Sequence, residues 1–258
     1  WFAQINFILL LFIVLFWRDR HRARAGIWLL FGIILKPYVA VLVLYLVIKR
    51  QWGPLVTSAI ALVSTSLLSI VVFGWKTFTS YFFSFPASKL PPWFFTEYDK
   101  GNLYATTWRM INKHLGESSL NLVLPIYAGI SLIVILITAW LIYQLLSSHE
   151  DWARAIILSL GLFLYPNTGT NYYVALIAPM FLLWSYKDKV PAGIWFVAIV
   201  MTLETAFFSY QRGWSKYVFL GMGLGWFALF ALGLALLVKK WQNRANTLRN
   251  DPILLSSQ

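Results

Sequence analysis

Gly32-Ile33-Ile34-Leu35-Lys36-Pro37-Tyr38-Val39-Ala40-Val41-Leu42 sets a lysine and a proline side by side in the middle of a long apolar run. Proline removes a backbone donor and clashes with the preceding turn, so it ends or kinks a helix. A lysine in hydrocarbon costs about 3 kcal/mol on insertion scales unless it faces a polar cavity or finds a partner. The run from Ala25 to Ile48 therefore reads as two half-helices. Each has about 11 residues, or roughly 17 Å of helix, and a hydrocarbon core of about 30 Å is too thick for either half alone. A kinked single span and a re-entrant hairpin both satisfy this pattern. In either case, backbone that leaves the helix at membrane depth must be buried in protein or line a wet cavity.

The rest of the chain has the same character. Of its 258 residues, 60% are hydrophobic and only 12% charged, about half the charged fraction of a soluble domain, and the mean hydropathy is +0.69. The reading is an all-α, polytopic transmembrane helical bundle. Apolar runs extend over Phe2–Trp17, Gly53–Trp75, Leu120–Leu146, Ala192–Ser209 and Tyr217–Val238. A second interrupted run, 153–185, is broken at Pro166-Asn167-Thr168-Gly169-Thr170-Asn171. Residues 1–238 form one transmembrane domain with a long outer loop at 76–119, and 239–258 form a cytoplasmic polar tail. Because residue 1 is Trp and an apolar run starts at once, an N-terminal part of the protein is expected upstream.

The net charge of +12 is distributed between the spans and not over one face, which excludes nucleic acid as a partner and makes the lipid bilayer the partner instead. Lys and Arg mark cytoplasmic loops. If both interrupted runs are hairpins, the clusters Arg18-Arg24, Lys49-Arg50, Lys187-Lys189 and Lys239-Lys240 all fall on one side. Single spans would scatter them, so the charge bias favours hairpins. The localisation that follows is a cell membrane, multi-pass and of the bacterial plasma-membrane type. Within the outer loop, Asn102 is placed as an N-cap and Gly116 as a C-terminal stop. Between them Leu103, Thr107, Met110, Ile111 and His114 form a stripe suited to an interfacial helix, which would hold Arg109 near phosphate headgroups.

Chemistry-bearing motifs are few. There is no phosphate-binding glycine loop, no dinucleotide fingerprint and no His pair at metal spacing; the absence of cysteine removes disulfides and thiolate sites. No cofactor and no metal is expected. Lys36 and Glu204 are the ionisable side chains inside apolar segments, and Lys36 beside a helix break suits an anionic group such as a phosphate. A snorkelling or paired lysine is the plainer alternative. Glu97 and Asp99 are loop carboxylates that would face the same side as the breaks.

Several residues together follow a familiar order: Gln4-Ile5-Asn6, a basic turn before Ala25-Gly26, Leu35-Lys36-Pro37, Lys49-Arg50-Gln51-Trp52, Gly101-Asn102 with Trp108-Arg109, then Pro166, Tyr172-Tyr173 and Pro179. This resembles the C-terminal portion of glycosyltransferase family 87, membrane mannosyl- and arabinosyltransferases of the GT-C superfamily. The resemblance implies transfer of a sugar from a polyprenyl-phosphate donor to a glycolipid or glycan acceptor on the outer face. It implies substrate-binding roles for Lys36, Arg109, Asn102, Gln4, Asn6, Asn167, Asn171 and Tyr173. The catalytic base it implies is an acidic residue in a first outer loop upstream of residue 1, with Glu97 and Asp99 as candidates inside this chain. Where family members often carry Trp and His, this chain has Gly169 and Asn171, which leaves the sugar open. An oligosaccharide polymerase or ligase, and a lipid or solute transporter with midplane broken helices, are the competing readings.

Overall fold

The computed structural model describes residues 2–83, 102–166, 188 and 221–250. Among these, regular structure is entirely helical. Helix α1 (Phe2–Arg18) leads through a tight basic turn into α2 (Ala25–Leu35), a 3-10 turn (Pro37–Val41) and α3 (Leu42–Ile48). Then follow α4 (Trp52–Phe73) and α5 (Trp75–Phe83), separated by Gly74. Further along the chain come α6 (Leu103–Leu115), a 3-10 turn (Glu117–Leu122), α7 (Val123–Leu145), α8 (Glu150–Leu164) and α9 (Gly221–Asn250).

The break at Lys36 has the form that proline dictates. A residue before proline is driven out of the helical region into extended backbone, and Lys36 has φ −150 and ψ 106. Its own N–H still closes the last turn of α2 on the Gly32 carbonyl at 2.9 Å, and its carbonyl accepts from Val39 N at 3.1 Å. Both polar groups of the broken backbone are thus satisfied within the segment. Tyr165, before Pro166, follows the same rule with φ −69 and ψ 118, and α8 stops there.

The course of the segment 25–48 can be read from its neighbours. Gly26 lies against the backbone of Pro54 and Ser58 at the start of α4. Ile33, Ile34 and Pro37, at the far end of α2, share a cavity with Leu62, Ser69 and Phe73 of α4. Helices α2 and α4 therefore run in the same direction, so α3 must come back. At the other end, His21 Nδ1 and Gln51 Nε2 lie 2.8 Å apart. The segment leaves from the end at which it began: it is a hairpin with Lys36-Pro37 at its tip. Gly32 supports the turn, with its bare Cα facing Val39.

The basic end of the bundle is held by one buried and one half-buried carboxylate. Asp19, whose side chain is 2% exposed, pairs with Arg24 at 2.7 Å and Arg18 at 3.3 Å and accepts from the Trp28 indole at 3.0 Å. Glu150, at the start of α8, receives Arg20 Nε at 3.0 Å and Lys49 Nζ at 3.6 Å and the Tyr45 hydroxyl at 2.5 Å. One carboxylate thus joins the α1–α2 turn, the end of α3 and α8. Arg154 lies 3.3 Å over the Trp17 ring, and Lys240 Nζ caps the Gln144 carbonyl at the end of α7, as cations do at helix C-termini. Hydrogen bonds from Arg18 and Arg24 hold the Asp19 carboxyl well below the usual carboxylate range. At Glu150 burial pushes the other way, but the Tyr45 hydroxyl and the Lys49 and Arg20 charges outweigh it and leave a lowered pKa.

A depressed carboxylate pKa stabilises the fold fully above the unfolded-state value and loses that contribution as pH falls through the folded value. Those unfolded values lie near about 4. The purified protein should therefore melt at a constant temperature above about pH 5 and lose stability below about pH 4. Glu150→Gln should lower stability by about 1–2 kcal/mol at neutral pH, because it leaves two half-buried cations unpaired, and should flatten the acid limb. Thermal unfolding in detergent across pH 3–8 reads both; an unchanged acid limb in the variant would remove Glu150 from the account.

Among the described residues, two helices are long and apolar enough to cross a membrane, Trp52–Phe73 and the stretch Glu117–Leu145 that includes α7. Of α4, only Pro54 and Ser58 are buried, and Val71 is 81% exposed. A face of that length and apolarity is not kept in water. Helix α9 runs on through the Val238–Lys239 boundary to Asn250, so the polar stretch after Val238 begins as helix. No proline or glycine stands there to stop it. Its upper part packs on α7 and α8: the Trp226 indole donates to Thr138 at 3.1 Å, and the Trp152 indole donates to the Leu229 carbonyl at 2.8 Å.

Candidate functional site

The end of the bundle opposite the basic cluster gathers both helix breaks and the start of α6. Tyr38, just past the hairpin tip, is buried with its ring centroid 6.4 Å from that of Tyr165. The Tyr38 carbonyl sits against α8 at Gly161, where a Cβ would lie 2.7 Å from the carbonyl oxygen. Asn102 is fully buried. Its Oδ1 accepts from Ala105 N at 2.9 Å, which makes it the N-cap of α6, and its Nδ2 donates to the Pro166 carbonyl at 2.8 Å. The Tyr127 hydroxyl donates to the Leu164 carbonyl at 2.6 Å, and the Tyr127 ring meets Tyr104 edge-on at 5.2 Å. Pieces of the chain more than 60 residues apart thus converge on two interrupted helix ends.

Lys36 is half-buried at this junction. Its position just beyond the last turn of α2 is favourable for a cation, since helix C-termini carry partial negative charge. Beside it opens a cavity of about 450 Å³ between α2, α4 and α5, with Pro37, Ile33 and Ile34 on one wall and Leu62, Thr65, Ser66, Ser69, Phe73, Thr77 and Phe78 on the others. Its hydroxyls do not make it polar: Thr65 donates back to the Ala61 carbonyl at 2.7 Å and Ser69 to that of Thr65 at 2.8 Å. What remains is an apolar chamber with a lysine next to its rim.

Helix α6 has the bounds expected of it. Asn102 caps it, and Gly116 ends it at φ +80, in the positive-φ region that favours glycine. Its buried face differs from the expected stripe. Leu103, Thr107 and Ile111 are buried as expected, together with Tyr104, Ala105 and Trp108, whereas Met110 is 57% exposed and His114 is exposed. The helix is rotated so that its two largest aromatic residues pack on Val123 and Tyr127, and aromatic burial outweighs one methionine. Arg109 lies half-buried on this helix, about 10 Å along the axis from Asn102.

The other candidates divide into two groups. Gln4 and Asn6 lie in the first turns of α1. Phe12 of α1 stacks on Trp28 and Phe31 of α2, and this antiparallel register carries residues 4–6 to the level of Lys36. Glu97, Asp99, Asn167, Asn171, Tyr173 and Glu204 lie outside the described residues. Sequence reasoning missed the roles of Tyr38, Gly161 and Tyr127; the only local signal was that a tyrosine directly follows Pro37 and another directly precedes Pro166.

Residues 1–166, about two thirds of the chain, match the family model described as Glycosyltransferase family 87. No curated protein and no solved structure gives a match.

Proposed function

The chain belongs to glycosyltransferase family 87 and is a glycosyltransferase, and from this we propose that it is a multi-pass membrane enzyme that takes its sugar from a polyprenyl-phosphate donor. The sugar is mannose or a pentose, and the acceptor is a glycolipid or glycan at the outer face of the membrane. The observation that carries this reading is the placement of Lys36: a cation at the tip of a broken helix, next to an apolar chamber of about 450 Å³ bounded by Pro37. A donor with a phosphate and a long isoprenoid chain needs those two environments side by side. A nucleotide sugar would need a polar base and ribose site in place of the second. Membership of a transferase family also favours this reading over the transporter one.

The chemistry is a single inverting displacement. The acceptor hydroxyl oxygen bonds to the anomeric carbon while the bond from that carbon to the phosphate oxygen breaks. The electron pair leaves with the polyprenyl phosphate, and the hydroxyl proton passes to a carboxylate base. Glu97 and Asp99 are the candidates for that base within residues 1–258. Lys36 and Arg109 bind the phosphate and stabilise the charge that grows on it as it departs. Gln4, Asn6, Asn102, Asn167, Asn171 and Tyr173 are assigned to binding of the sugar and its carrier, Asn102 by holding the site in shape. The basic end, with Arg18, Arg20, Arg22, Arg24, Lys49 and Arg50, faces the cytoplasm.

The test is direct. Purified full-length protein in nanodiscs is given radiolabelled polyprenyl-phosphate mannose, polyprenyl-phosphate arabinose or nucleotide-linked mannose, with a membrane lipid extract as acceptor source. Label should move into a glycolipid from one lipid-linked donor only, with release of polyprenyl phosphate. Transfer from the nucleotide sugar, and not from either lipid donor, would overturn the reading.

A further inference from the structure

We propose that Asn102 is a positioning residue, a two-sided clasp that fixes the loop helix α6 to the interrupted end of α8 and so sets the roof of the site at Lys36. The assignment of a reaction to that site rests on the donor reading above; the clasp itself rests on geometry. Helix α8 stops before Pro166, and its last carbonyls lose their helical donors. Two acceptors at this end are served from elsewhere in the chain: Leu164 O, in the last turn, by the Tyr127 hydroxyl at 2.6 Å, and Pro166 O, just beyond the helix, by Asn102 Nδ2 at 2.8 Å. The same Asn102 side chain caps α6 through Ala105 N.

An asparagine amide does both with separate atoms. The cap requires an acceptor and Pro166 O requires a donor, and the Asn102 side chain that supplies them is itself fully buried. Aspartate and serine cap helices as well as asparagine does, but neither offers a nitrogen donor to the Pro166 carbonyl. From Pro166 the path continues through Tyr165 to the ring of Tyr38, two residues from Lys36. A shift of α6 is thereby transmitted to both breaks, and Arg109 on α6 moves with it.

A spin-label pair is introduced at Lys113→Cys on the exposed face of α6 and Arg22→Cys in the basic turn, in a background free of other cysteines; residues 1–258 contain none to remove. The full-length protein should give one narrow distance distribution. Asn102→Asp keeps the cap and removes the donor, Asn102→Ser keeps the cap but replaces the longer amide donor with a single short hydroxyl, and each should broaden that distribution. With radiolabelled polyprenyl-phosphate mannose as probe, Asn102→Ser should lower kcat by about 10- to 100-fold, the usual range for misplacing a site from outside it, with KM within about threefold. Purely structural damage would instead reduce the folded fraction and leave kcat per folded molecule unchanged. Should the Asn102 variants fail to fold, Tyr127→Phe, which removes the second tie to α8, should broaden the same distribution. An unchanged distribution and unchanged kcat in the variants that fold would overturn the clasp. Broadened distances, with a wild-type protein that does not use the probe, would support the clasp and overturn the donor reading.

Discussion

Lys36→Ala should reduce sugar transfer from a polyprenyl-phosphate donor by at least about 100-fold, the scale on which removing one charge-stabilising group from a site of this kind acts. The fold should survive, for a reason visible in the backbone. The break belongs to Pro37, which forces the preceding residue into extended geometry. The two hydrogen bonds Lys36 makes with its main chain, to Gly32 O and from Val39 N, are open to any residue. The backbone geometry of the turn is therefore open to other side chains at position 36. Lys36→Met separates the competing explanations: it keeps the apolar stem and removes only the ammonium. If the lysine serves merely as a favourable charge at the end of α2, the methionine variant loses a few tenths of a kcal/mol of stability and turns over normally. If it binds the donor phosphate, the variant melts like the wild type and does not transfer. Lys36→Arg should retain part of the rate, since it keeps the charge but moves it outward. Initial rates and melting temperatures of the three variants, measured side by side in nanodiscs, decide the matter; a normal rate in the methionine variant removes Lys36 from the site.

Gly161→Val should damage both stability and activity. At this position a Cβ would lie 2.7 Å from the Tyr38 carbonyl oxygen and 2.8 Å from Val41 Cγ1. The first obstacle is backbone in a buried turn and cannot rotate aside, so the hairpin tip must be pushed off α8. Forcing extra carbons into a packed interior costs about 1–3 kcal/mol, and here the displaced element carries Lys36. Loss of transfer should exceed the loss of folded protein, about tenfold or more in rate for the molecules that remain folded. Gly161→Ala should show the same pattern more mildly. A Gly161→Val protein with wild-type melting and wild-type turnover would mean that the tip is not seated on α8 as described.

Much of the scaffold could be read along the chain because it is written locally. Proline announces both breaks, Asn102 and Gly116 bracket α6, and the apolar runs 53–75 and 120–146 correspond to α4 and α7 within three residues at each end. What could not be read is what depends on pairing. Glu150 sits in a polar turn, Ser147-Ser148-His149-Glu150-Asp151, that looks like ordinary solvated chain. Its partner Arg20 is 130 residues away, and no periodicity encodes that. The buried face of α6 differs from the stripe Leu103, Thr107, Met110, Ile111 and His114 because Tyr104 and Trp108 find their packing partners, Val123 and Tyr127, only in the folded bundle. Asn102 was legible as a cap and as a candidate for binding substrate, yet its second bond, to Pro166, needs the bundle to exist. Within the site, the charge and the breaks were visible in the sequence. The joints that hold them together were not.

The hairpin of α2 and α3 also constrains how the protein is made. Neither arm is long enough to span a bilayer by itself, so this segment cannot insert and wait as an independent span. Its seat is α8, which supplies Glu150 for Arg20, Lys49 and Tyr45 at one end and Gly161 for Tyr38 at the other. Helix α8 leaves the ribosome about 100 residues after the hairpin does, which at about 5–20 residues per second is a delay of roughly 5–20 s. During that interval the hairpin has Asp19 and α4 as partners, but Lys49 and Tyr45 lack the Glu150 carboxylate and Tyr38 lacks its seat at Gly161. For the membrane enzyme proposed above, a half-seated hairpin must be sheltered until the polypeptide that completes its packing has been synthesised.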